Sequence, residues 1–176
     1  MRKILFLDVD GVLNSVKSCA ALGGYPHELT SREGFDWIAI KLLQRLCDSS
    51  GVQIVMSSAW RAWNKPEDFA KAFDLPVIDS TPRLHTKRGE EIQAWLDAND
   101  DIEAYVILDD DSDMLDSQQE RFIKTNAKEG LTWTDFSKVC ALFGESPFSG
   151  AARDREWKAR EDARKPIAIL IGEGAQ

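Results

Sequence analysis

The sequence predicts an α/β fold, a doubly wound and mostly parallel sheet with helices on both faces, and three observations predict it. Short apolar runs alternate with segments of helical periodicity, the order of a strand–helix–strand architecture. Three of those runs are rich in Ile, Val, Leu and aromatics, as strands buried on both faces are. Each of the three stops abruptly at polar residues, and open parallel sheets bind ligands beyond the carboxyl ends of their strands.

The first strand is expected over 3–7 (KILFL), closed by Asp8. Asn14 to Thr30 reads as a short loop, with Gly23, Gly24 and Tyr25 marking a flap. Thr30 to Glu33 fits a capping box ahead of a helix carrying Trp37, Ile38, Ile40, Leu42, Leu43 and Leu46, which Ser49, Ser50 and Gly51 break. The second strand, over 52–56 (VQIVM), ends in Ser57 and Ser58. Shorter strand patterns follow at Val77–Ile78 and at Phe122–Lys124. Helical spacing recurs over 90–96 (EEIQAWL) and from Thr132 to Phe143, and the third strand, over 105–108 (YVIL), runs into Asp109, Asp110 and Asp111. One domain over 1–145 is expected, with an extension over 146–176 made of a polar helix and a short apolar segment (PIAILI). The extension reads as a solvated face, a basic docking surface or an arm onto a second subunit, so monomer and homodimer both stay open.

Composition narrows the function. A chain of 176 residues, 43% hydrophobic and 30% charged, suits a single globular domain. Thirty acidic against 22 basic residues give a net charge of −8, which argues against coating nucleic acid by bulk electrostatics but not against a local basic site. No apolar run approaches the ~20 residues of a membrane span, and two aspartates fall where a signal peptide is apolar. A soluble, cytoplasmic protein without a membrane partner is the expectation. Cys19, Cys47 and Cys140 are odd in number and far apart, so they read as small apolar residues rather than zinc ligands or disulfides.

The acidic excess is concentrated where the strands end. Asp8 and Asp10, two apart on an extended segment, point the same way, and Gly11 after them lets the backbone turn close to a ligand. With Asp109 and Asp110 they crowd four carboxylates together, which demands protonation or a cation; hard oxygen ligands suit Mg²⁺. Such a site holds a phosphate dianion, keeps one carboxylate as nucleophile for an aspartyl-phosphate, and uses a second to protonate the leaving oxygen and activate water. Lys87 and Arg88, ahead of a helix, are the candidate phosphate cations. Arg61 either clamps substrate phosphate or pairs with carboxylates, and Trp60 and Trp63 either stack a base or bury as core aromatics. Asp109, Asp111, Asp113 and Glu120 have calcium-loop spacing, but Met114 stands where that loop needs glycine.

DVDGVLN at 8–14, the strand ending in Ser57, the basic pair at 87–88 heading a helix and ILDDD at 107–111 resemble, in order, the four signatures of haloacid dehalogenase (HAD) superfamily phosphatases. VMSSAWR, KRGEEIQAWL and YVILDDDSDM further resemble small HAD domains of RNA-repair proteins and, loosely, the phosphatase half of polynucleotide kinase-phosphatases. The resemblance implies a HAD-like Rossmannoid fold and an enzyme with Asp8 as nucleophile and metal ligand. Asp10 would be the general acid and base, its carbonyl also on the metal, and Ser57 a phosphoryl ligand. It implies Lys87, in preference to Arg88, as the catalytic cation, and Asp109 and Asp110 on Mg²⁺. Ser58, Arg61, Arg88 and Gly11 complete the candidate substrate contacts.

The segments after the first two signatures are too short to fold as independent caps, so an open site is expected. Openness suits a macromolecular end or calls for a partner subunit as lid. With Trp60, Arg61 and the resemblance it favours a nucleic-acid terminal phosphate, while the net charge of −8 favours a small nucleotide or another phosphorylated metabolite. A small non-nucleotide metabolite, phosphoryl transfer to another acceptor, or a non-catalytic binding role are the alternatives.

Overall fold

The computed structural model describes residues 1–31 and 33–149. Its centre is β1 (Arg2–Leu7), flanked by β2 (Gln53–Met56) on one side and β4 (Ile102–Asp109) on the other. β3 (Val77–Ser80) and β5 (Phe122–Lys124) complete a five-stranded sheet of order β3-β2-β1-β4-β5. Every pairing is parallel, so the sheet is parallel throughout rather than mostly so.

The apolar runs lack alternation because both faces of the sheet are covered. Leu5, Leu7, Ile54, Met56, Val106 and Leu108 face one core, shared with α2 (Trp37–Ser50), α3 (Pro66–Phe73) and α5 (Trp133–Leu142). Ile4, Phe6, Val55 and Ile107 face the other, closed by Ile92 and Trp95 of α4 (Arg88–Asp97) and by Met114. Phe6 meets Trp95 edge-on with ring centroids 5.4 Å apart, and the Trp95 indole donates to Asp79 Oδ2 at 2.7 Å, tying α4 to β3. Each fully buried Leu, Ile or Phe contributes about 1.5–3 kcal/mol, so this double layer holds the strand ends in place.

Several elements differ from the sequence expectation for local reasons. The 14–30 segment contains a helix, α1 (Val16–Leu22), built on a Ser15–Ser18 capping box and burying only Cys19, so it has no apolar stripe to read. α2 is capped by Asp36, whose carboxylate accepts from the Ile38 and Ala39 amides, and not by the Thr30–Glu33 pattern. α3 escapes periodicity analysis because it is two turns long and buries two phenylalanines, Phe69 and Phe73. β3 runs on through Asp79 and Ser80, since an edge strand tolerates polar residues.

All three cysteines are buried and unpaired; burial pushes the Cys47 thiol up to about 12 and that of Cys140 to about 11. Among the described residues no helix is long and apolar enough to cross a membrane. Apart from 146–149, the expected C-terminal extension lies outside the described residues.

Candidate active site

Register builds the site. Leu7 pairs with Met56 on one side and Leu108 on the other, so the next residue of each strand, Ser57, Asp8 and Asp109, forms one row across the sheet. The row is pinned by the Ser57 amide on Leu7 O (3.0 Å) and the Asp8 amide on Leu108 O (3.1 Å). Asp8, Ser57 and Asp109 are buried, and one carboxylate oxygen from each of Asp8, Asp109 and Asp110 falls within a 4.8 Å cluster.

Beyond the row, the chain turns sharply at Gly11, whose φ is +69°. A Cβ there would lie 2.4 Å from Asp110 Cγ, so glycine is required both by the backbone and by the approach of the aspartate cluster. Thr125, at the end of β5, fixes this turn by donating its hydroxyl to Gly11 O at 2.8 Å, while its amide donates to Asp109 O at 2.9 Å. Asp10, exposed at the mouth, is held on both oxygens: Asn14 Nδ2 donates to Oδ1 and the Trp60 indole to Oδ2, each at 2.8 Å. Trp60 is half-buried against Phe35, which answers the stacking-or-core question for that residue: it packs, with its polar edge turned to Asp10.

The two candidate cations separate cleanly. Arg88, in the first turn of α4, places Nη1 2.9 Å from Asp109 Oδ2 and 3.4 Å from Asp8 Oδ2. Its amide donates to Asp113 Oδ2 at 2.9 Å. Lys87 is the N-cap position, exposed, with no side-chain capping bond. The close packing of Gly89 directs α4 this way, since a Cβ there would lie 2.5 Å from the Leu115 amide nitrogen. Arg61, by contrast, is committed to the protein: Nη1 donates to Ser57 O (2.8 Å) and Ser58 O, Nε to Thr81 O (3.1 Å), and Nη2 pairs with Glu91. It braces the strand end, and Glu91 in turn accepts from the Leu84 amide at 2.8 Å. Ser58 is buried, its hydroxyl accepting from the Trp60 amide at 3.3 Å. Ser57 Oγ is buried without a hydrogen-bond partner, an expensive state that a ligand oxygen at the row would relieve.

The electrostatics show an excess of negative charge. Burial, with Asp8 adjacent, pushes Asp109 up to about 7 despite Arg88. Burial and then Asp8 also hold Asp110 above the ordinary carboxylate range. Burial disfavours charge on Arg88, but Asp8, Asp109 and Asp113 more than offset it and raise its pKa. Three hard oxygen donors in one cluster, two of them reluctant to ionise, fit a divalent cation.

Against protein families, the chain matches, over residues 4–136, the HAD domain in Swiss Army Knife RNA repair proteins. The chain belongs to this family. Comparisons with curated proteins and with solved structures give no match. The match takes in β1 from Ile4 onward, the other four strands and every site residue described above, and the sheet is a HAD-like Rossmannoid with no cap evident among the described residues. What the sequence reading missed are the supports: Thr125, visible only as a strand end, and Glu91, which beside exposed Glu90 reads as an ordinary first-turn acid.

Proposed function

We propose that this HAD domain is a Mg²⁺-dependent phosphomonoesterase acting on a nucleic-acid or nucleotide terminal phosphate. The observation that carries the reading is the row Ser57–Asp8–Asp109, with Asp110 and Arg88 converging on it and a separately held carboxylate, Asp10, at the mouth.

Asp8, Asp109 and Asp110 would hold Mg²⁺, which supplies charge neutralisation and orients a phosphate dianion among carboxylates. Asp8 attacks phosphorus, the ester P–O bond breaks, and Asp10 gives its proton to the departing oxygen. Asp10, now ionised, takes a proton from water; that water attacks phosphorus of the aspartyl-phosphate, releasing inorganic phosphate and restoring Asp8. The Ser57 hydroxyl donates to a phosphoryl oxygen, and Arg88 rather than Lys87 balances its charge. Asn14 and Trp60 keep Asp10 aimed through both proton transfers. With no cap evident among the described residues, water is free to reach the intermediate, which favours hydrolysis over transfer to another acceptor.

The test is a Mg²⁺-dependent activity screen of an aryl phosphate, nucleoside monophosphates, a small sugar phosphate and 3′- and 5′-phosphorylated oligonucleotides. Turnover should vanish with chelation and with Asp8→Asn. Turnover that survives either change would overturn the mechanism, and strong preference for the sugar phosphate would replace the substrate class.

A further inference from the structure

Beside the carboxylate row, the 59–63 turn and the 83–88 loop enclose a cleft of about 260 Å³, with Arg88 forming the wall shared with the site. Arg61, Glu91 and Asp113 also line it: Arg61 is paired with Glu91, and Asp113 accepts from the Arg88 amide through Oδ2 while its Oδ1 has no hydrogen-bond partner. Apart from the alanines, three lining side chains make no hydrogen bond, ion pair or ring contact among the described residues: Trp63, 83% exposed, and Arg83 and Thr86, both also exposed.

The Trp63 indole is 83% exposed, so its face is open to a ligand beside the cleft. It stands one turn beyond Trp60, whose own ring is occupied by Phe35 and Asp10. An aromatic face next to an unpaired guanidinium matches a base followed by a backbone phosphate, the pairing that single-stranded nucleic acid presents. The cleft is slightly smaller than pockets for drug-sized ligands, a size that suits one nucleotide unit.

We propose that this cleft is a subsite for the nucleotide adjoining the cleaved terminal phosphate of a single-stranded nucleic acid, with Trp63 stacking its base and Arg83 pairing the internucleotide phosphate. The subsite rests on the phosphatase reading for its position, and it names the substrate: an oligonucleotide end rather than a mononucleotide. It also places local positive charge on a chain whose overall charge is −8.

The experiment compares wild type, Trp63→Ala and Arg83→Ala on an aryl phosphate, a nucleoside monophosphate and trinucleotides phosphorylated at the 3′ or the 5′ end, with Mg²⁺ present. Trinucleotide binding is measured in parallel by calorimetry with the Asp8→Asn protein and its double variants. Wild type should prefer one trinucleotide over the monophosphate, and the trinucleotide-to-aryl-phosphate ratio of kcat/KM should fall about tenfold with Trp63→Ala. Arg83→Ala should lower that ratio and reduce the salt dependence of trinucleotide binding by about one ion. Equal trinucleotide binding and turnover in all three proteins would overturn the subsite. Failure of wild type to hydrolyse any phosphomonoester would instead overturn the phosphatase reading, while the calorimetry still decides the subsite.

Discussion

Asp109→Asn should change how stability depends on pH, and its direction follows from the site. Burial, then the Asp8 charge, move Asp109 from 3.8 to about 7, so the folded protein favours its protonated form. Between those values the native state binds more protons than the unfolded chain, and metal-free stability therefore falls as pH rises from about 4 through about 7. At about 1.4 kcal/mol per pH unit the ceiling on this loss is about 4 kcal/mol. For a chain of this size that is on the order of 10 °C in Tm. Mg²⁺ would replace the proton and restore stability at pH 8. Thermal melts of wild type and Asp109→Asn, from pH 4 to 8 with EDTA or Mg²⁺, measure the difference and so cancel titrating groups remote from the aspartate cluster. The wild type should lose stability across this window relative to the variant and regain it with Mg²⁺, while the variant responds weakly to the ion. Parallel pH profiles for the two proteins, or an equal Mg²⁺ response, would refute the account of the site as over-charged.

Other substitutions probe the supports. Gly11→Ala forces a positive φ on alanine and drives its Cβ into Asp110, so melts should show a loss of at least 1–2 kcal/mol, and calorimetry should show weakened Mg²⁺ binding. Arg88→Ala should abolish most phosphatase turnover whereas Lys87→Ala should leave it near wild type, because only Arg88 reaches Asp8 and Asp109. Glu91→Ala leaves the Arg61 guanidinium buried beside the strand end without its carboxylate; a loss of about 3–5 kcal/mol in denaturant unfolding is expected. Trp60→Phe removes one of the two donors to Asp10 while keeping the contact with Phe35, so kcat and the shape of its pH profile should change more than the melting temperature.

How much of this was legible follows from what each element uses for stability. The central strands announced themselves because burial on both faces leaves uninterrupted apolar runs, and their register then dictates that Ser57, Asp8 and Asp109 align. α1 did not, because it rests on serine capping and buries only Cys19, and α3 did not because its i, i+4 pair Phe69 and Phe73 is only one repeat of the helical period in an eight-residue segment. Arg61 and Arg88 are indistinguishable by residue type, yet one is spent on carbonyls and Glu91 while the other reaches the aspartates; that difference is set by the 3-10 turn at Ala59–Ala62 and by the packing of Gly89, both tertiary. Residue type favours Lys87, but a one-residue offset at a helix start swings a side chain by about 100°, and it is the Arg88 guanidinium that lies beside Asp8 and Asp109. Thr125 carries no chemical signature at all; it supports the site only because β5 lies beside β4.

The central claim is that Asp8 carries the phosphoryl group. Acid quenching of the protein during turnover of a radiolabelled phosphomonoester with Mg²⁺ tests it directly. Base-labile label should be recovered on the peptide containing Asp8 in wild type and be absent from Asp8→Asn. Turnover by the wild type with no label on that peptide, or continued turnover by Asp8→Asn, would contradict it.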